Sequence, residues 1–351
     1  MELSKRETSE LKGIAALLLV FLHLFNTRDY SKIQSILIIG NVPIEYYISL
    51  VSEECVAMYL FCSGYGLATI DKNIDIKDNI IRILKLLINY WIVLIGFVIV
   101  GYLLENENYP GSSKEFLMNF LLLSKSYNGA WWFLQTYVIL VLLSKSIINI
   151  VKKNNTIVIF FISGLIYFFG VLQSVKGIIN IGDNELLNIM LNTIINFAIC
   201  QFSFIVGIIF IKENTISNIR KKLEEKKYTQ ILSYILILFT FSINVIIENW
   251  IIGPITAILI IITYSIIKLD NRVELFLSYI STHSTNIWLT HMFFYMIFFS
   301  DLVYAPKYSI LIFIWLMVLC IATSYIINTI YKPIIKIIDK IKEEKVKLVQ
   351  V

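Results

Sequence analysis

The sequence carries little charge, little proline and very little histidine. Asp, Glu, Lys and Arg make up 16% of its 351 residues, against about 25% in a soluble globular chain. There are five prolines and three histidines, His23, His283 and His291. His283 and His291 lie about 80° out of register on a helix, a poor geometry for holding one metal. Cys55, Cys62, Cys200 and Cys320 sit in apolar segments without CxxC spacing. They read as small buried hydrophobes rather than as a disulfide frame or a zinc pattern. No glycine-rich dinucleotide or P-loop pattern occurs. The first apolar run has no small-residue cleavage site, so no cleavable signal peptide is expected. The expectation is therefore no metal and no bound cofactor. The net charge of +5 is read as a membrane protein's charge bias, not as a nucleic-acid footprint.

What the sequence has in abundance is apolar residues. They form 58% of the chain, and the mean hydropathy is +0.76. The charges are clustered, with long apolar runs between the clusters. A spanning helix needs roughly 20 mostly apolar residues, and the pattern predicts about ten of them. They are placed at 11–25, 50–70, 83–104, 130–150, 157–173, 189–211, 230–247, 251–267, 284–299 and 309–330. The pieces 36–50 and 116–124 are too short to span and read as interfacial or re-entrant. Of the 30 Lys and Arg, all but Arg28, Lys32, Lys114, Lys125, Lys176 and Lys307 fall in one alternating set of loops. The positive-inside rule puts that set, and both termini, in the cytoplasm. The predicted class is an all-α polytopic membrane bundle of the cytoplasmic membrane. Its spans fill 1–330, and a basic amphipathic tail at 331–351 lies on the inner leaflet.

Polar groups inside such a bundle cost free energy and mark candidate sites. Lys12 precedes His23 by eleven residues, so on a helix the two share one face, about 16 Å apart. Arg82 and Lys85, at i and i+3, form a cationic face at the same membrane level. They could bind phosphates or simply snorkel to the interface. Glu53 and Glu54 open the second predicted helix near the depth of His23. Either could orient its imidazole or sit at head-group level. Ser63-Gly64 suits close helix packing, and Trp131-Trp132 suits an interfacial aromatic belt.

Read together, these segments resemble the membrane acyltransferase family known as acyltransferase family three, whose members include bacterial glycan O-acetyltransferases. The resemblance rests on Lys12…His23, the segment Tyr59-Leu-Phe-Cys-Ser63-Gly64-Tyr65-Gly66, and Arg82-Ile-Leu-Lys85. Trp132-Phe-Leu and Asn286-Ile-Trp-Leu-Thr-His291 continue it. The motifs run in family order over nearly the whole chain. Many relatives have Arg at the positions of Lys12 and Lys85, and several have an acid at Ala57. Some carry an additional C-terminal esterase-like domain. The resemblance implies acyl-CoA, in the first instance acetyl-CoA, as co-substrate. It also implies an exported or lipid-linked glycan as acceptor. The expected roles follow from it. His23 does the chemistry as base or acyl carrier, with Glu53 or Glu54 as its acid partner. Lys12, Arg82, Lys85, Ser63 and Tyr65 hold the donor, and Trp132 and His291 line the acceptor side. Two other readings stand beside it: a transporter or flippase for a lipid-linked saccharide, and a membrane anchor or sensor for another protein. No internal repeat of the kind many transporters show is evident.

Overall fold

The computed structural model describes residues 1–70, 76–223 and 228–349. Among the loop cations assigned above, Lys72, Lys226 and Lys227 lie outside the described residues, as do 350–351 of the tail. The described chain is helical apart from one small hairpin, Ile38–Ile39 with Val42–Pro43. Among the described residues, seven helices are long and apolar enough to cross a membrane. They are α1 (Lys5–Phe25), α4 (Ile76–Leu103), α6 (Trp132–Lys153), α7 (Thr156–Lys176), α8 (Glu185–Lys212), α10 (Thr229–Ile246) and the first part of α14 (Ser309–Val349). The other three predicted spans are also helices. α3 (Cys55–Ile70) and α11 (Gly253–Ile266) are shorter, and α12 (Asn271–Met292) is more polar. The pieces too short to span contain α2 (Ile44–Leu50) and α5 (Ser113–Phe120), while α9 (Thr215–Leu223) and α13 (Ser300–Tyr304) sit in loops. The tail is not a separate element, because its helix continues α14.

The end of the bundle that carries the start of α1 is called basal here, and the opposite end apical. α1 starts six residues before the first predicted apolar residue because Ser4 and Glu7 form a reciprocal capping box. Its basal turn then buries Glu10, which Arg6 (2.7 Å), Ser278 (3.2 Å) and the Tyr264 hydroxyl satisfy. α12 begins at Asn271, behind the Asp270 cap, thirteen residues before the predicted start at 284. Its Ser, Thr, His and Asn residues look polar in sequence but face partners inside the bundle. Asn286 accepts from Asn89 (2.7 Å) and donates to Ser324 (2.8 Å). Ser324 also meets His283 Nδ1 at 2.8 Å.

Two close approaches hold the centre. A Cβ on Gly13 would lie 2.2 Å from the Leu277 carbonyl oxygen, so α1 and α12 touch backbone to backbone. Cβ atoms on Gly64 and Gly207 would lie 2.0 and 2.3 Å from the carbonyl oxygens of Phe204 and Phe61, so α3 and α8 do the same. Outward faces stay apolar and exposed, as with Phe161, Leu165 and Phe169 of α7 and Leu238 of α10. That is how a helix meets lipid rather than water.

Candidate functional site

Two cavities stack along the inward face of α1. The basal one, about 180 Å³, is lined by Lys12, Tyr59, Ser63, Arg82, Tyr137 and Ser284, among others. The apical one, about 740 Å³, holds His23, Glu53, Ala57, Lys125, Trp132 and Tyr295 in its wall. Leu19, Val56, Phe133 and Trp288 line both, and this shared wall is called the neck here. The eleven-residue spacing on α1 thus puts a cation in one chamber and an imidazole in the next.

The basal chamber is lined by two cations, Lys12 and Arg82. Arg82 Nη1 donates to Asn79 Oδ1 at 3.0 Å, and Arg82 has no ion pair among the described residues. Lys12 has no hydrogen bond or ion pair among the described residues, and no carboxylate lines the chamber. Ser63 reaches Tyr137 Oη at 3.4 Å, and the Tyr59 hydroxyl sits beside Ser284 in the same wall. Two residues expected here are elsewhere. Lys85 points away and pairs with Asp339 of α14 at 2.5 Å, so its charge is already met. Tyr65 instead clasps the N-terminus: it accepts from the Leu3 amide (2.8 Å) and donates to Glu2 (2.5 Å).

In the apical chamber His23 ends α1. Its Nδ1 lies 3.5 Å from Tyr295 Oη, and its ring sits 4.8 Å from the ring of His291. His291 is fully buried behind His23 and does not line the chamber. His291 Nδ1 lies 2.8 Å from the Trp288 carbonyl oxygen. A carbonyl only accepts, so this nitrogen carries the proton. Nε2 then keeps its lone pair and has no partner among the described residues. Tyr295 was not anticipated from the sequence. It lies in a π-helical turn, Phe293–Phe298, that follows α12. Such turns re-aim side chains. The His291-x-x-x-Tyr295 spacing, one helical turn, was the available signal.

The two carboxylates separate. Glu53 lines the chamber and accepts from Asn26 Nδ2 at 3.2 Å. Glu54 is fully buried beside Thr256 and Asn244, away from the chamber. Neither hydrogen-bonds His23 among the described residues. Ala57 lines the chamber four residues after Glu53, so Glu53 sits one turn from the position where several relatives keep an acid. Trp132 is half-buried in the wall, and Trp288 Nε1 donates to the Ala130 carbonyl at 2.9 Å to hold the neck. All four cysteines are buried and free. Among the described residues no three His, Cys, Asp or Glu side chains come together as a metal site.

No curated protein and no solved structure matches the chain. The sequence model of the acyltransferase domain of acyltransferase family three does match, over residues 11–329, from the turn that carries Lys12 to near the end of the membrane part of α14. The chain is a multi-helix membrane protein and belongs to that acyltransferase family.

Proposed function

We propose that this acyltransferase takes an acyl group, in the first instance acetyl, from cytoplasmic acyl-CoA and delivers it to a hydroxyl of an exported or lipid-linked glycan. The observation that carries the reading is the stacked pair of chambers: two unpaired cations in one, an imidazole in the next, and a shared neck between. In this reading α3, α11 and α12 complete ten spans in the cytoplasmic membrane. Both termini and the basal end are then cytoplasmic, as the charge bias favours.

CoA's phosphates meet Lys12 and Arg82 at the basal mouth. Ser63 and the Tyr59 hydroxyl of the basal chamber suit the amides of the thin pantetheine arm, which then passes the neck. The thioester then stands beside His23. With Nδ1–H donating to Tyr295 Oη, Nε2 is free to take the proton of the acceptor hydroxyl. The hydroxyl oxygen attacks the thioester carbonyl carbon and the carbon–sulfur bond breaks. The CoA thiolate leaves with the proton returned from the imidazolium. The 3.5 Å Tyr295 contact is long, and such bonds commonly tighten only when substrate is bound. Glu53, across the same chamber, favours the charged imidazolium that forms midway.

The test is acetyl-CoA turnover and glycan acylation by purified protein. His23→Ala is expected to fold and to lose transfer by about 10²–10⁴-fold, the usual worth of a positioned base. A folded variant that acylates at the wild-type rate rules the mechanism out. Saccharide movement without acetyl-CoA turnover would make the protein a transporter instead.

A further inference from the structure

Beside the His23 chamber, between α6, α7 and α8, the apical end holds a second groove of about 480 Å³. Lys125, Trp132, Ser174 and Asn196 line both the groove and the chamber, so one opens beside the other. Asn188, Asn192 and Asn196 follow at i, i+4 and i+8 on α8, all in the groove wall. The Asn188 amide is spent on the carbonyls of Gly182 (2.8 Å) and Asn184 (3.1 Å). Asn192 and Asn196 have no hydrogen-bond partner among the described residues. Asn196 lies about 16 Å along the apolar helix α8 from its start at Glu185. Unpaired amides at that depth are costly, and they face either a polar ligand or a water-filled path. Directly across, Gln135 accepts from Thr193 at 3.0 Å, so the facing wall is polar too.

We infer that this groove is the acceptor subsite and that it holds a pyranose ring next to the one being acylated. The inference rests on the acyltransfer reading above and adds where the acceptor lies and what reads it. Each carboxamide offers donors and an acceptor side by side, which matches the vicinal hydroxyls of a sugar. The half-buried Trp132 ring supplies an apolar plane for the ring's C–H face. No carboxylate lines the groove, and its one cation is Lys125. It therefore suits a neutral or anionic saccharide and disfavours a cationic amine acceptor.

The experiment uses full-length protein in lipid nanodiscs. The probe is the un-acylated surface oligosaccharide isolated from a strain lacking the protein. Acetyl-CoA turnover and oligosaccharide acylation are measured for wild type, Asn192→Leu, Asn196→Leu and Asn196→Gln. The leucine variants are expected to raise the oligosaccharide KM about tenfold each, the effect of losing one good hydrogen bond. Asn192→Leu, whose residue lines the groove but not the His23 chamber, keeps its acetyl-CoA KM, and Asn196→Gln recovers part of the Asn196→Leu loss. Asn192 is exposed and unbonded, so its substitution leaves folding intact, and a thermal melt verifies this. Unchanged oligosaccharide KM in both leucine variants overturns the subsite while leaving acyl transfer standing. Wild-type acetyl-CoA turnover without oligosaccharide acylation overturns the subsite together with the glycan acceptor. Absence of acetyl-CoA turnover brings down the underlying reading itself.

Discussion

Lys12, Arg82 and Lys85 are three cations at one depth of the bundle with two different fates. The first two face a chamber without carboxylates, whereas Lys85 is neutralised by Asp339 at 2.5 Å. The difference predicts how charge removal divides. Lys12→Gln and Arg82→Gln are expected to raise the acetyl-CoA KM about tenfold or more each, because a phosphate contact is a charge-assisted hydrogen bond. Lys85→Gln should leave that KM unchanged and loosen α14 instead. Steady-state kinetics of the three purified variants checks this, and a Lys85→Gln KM that rises with the others would put the donor elsewhere. His291 shows the same point without charge. Its carbonyl-bound Nδ1 sets the tautomer, and its ring packs 4.8 Å from that of His23.

Elements are held at separations that side chains would forbid. α3 and α8 meet through Gly64 and Gly207, each placed against a carbonyl of the other helix. Phe61 and Phe210 pack edge to face beside this contact, at 5.0 Å between ring centroids. Gly207→Val therefore has to push α8 off α3, and with it the wall that carries Cys200 and Ser203 in the His23 chamber. Its thermal inactivation temperature is expected to fall sharply, since even ordinary overpacking costs about 1–3 kcal/mol. Gly96 of α4 is the control, because a Cβ there meets nothing within 4 Å. Gly96→Ala should be neutral or stabilising by about 0.5–1 kcal/mol through helix propensity. Equal melts for Gly207→Val and Gly96→Ala would mean that the glycine contact does not bind the two helices.

At the scale of the whole molecule, the proposed acyl transfer requires the basal end to face the cytoplasm, where acyl-CoA is. Single cysteines report this cleanly, because all four native cysteines are buried. Glu107→Cys, in the exposed apical loop between α4 and α5, is expected to react with an impermeant maleimide on intact cells. Lys336→Cys, exposed on the basal part of α14, should react only after permeabilisation. The reverse pattern would place Lys12 and Arg82 on the wrong side for the donor. The apical end is also tied across the bundle, with Glu45 accepting from Ser35 (2.5 Å) and Ser309 (2.6 Å). The loop after α1 is thereby pinned to the start of α14.

Helical class, membrane character and the Lys12–His23 stripe were legible in the residues alone, because apolar run length and a period of 3.6 residues act locally. The starts of α1 and α12 were not. Their polar turns look like loops until Glu10, His283 and Asn286 find partners on other helices. The same holds at the site. Spacing could nominate Glu53, Glu54, Lys85 and Tyr65 but could not say which way each side chain points. Only packing sends Glu53 into the chamber and Glu54 behind it, gives Lys85 to Asp339, and brings Tyr295 to His23. Contacts between segments hundreds of residues apart set those directions, and no local pattern encodes them.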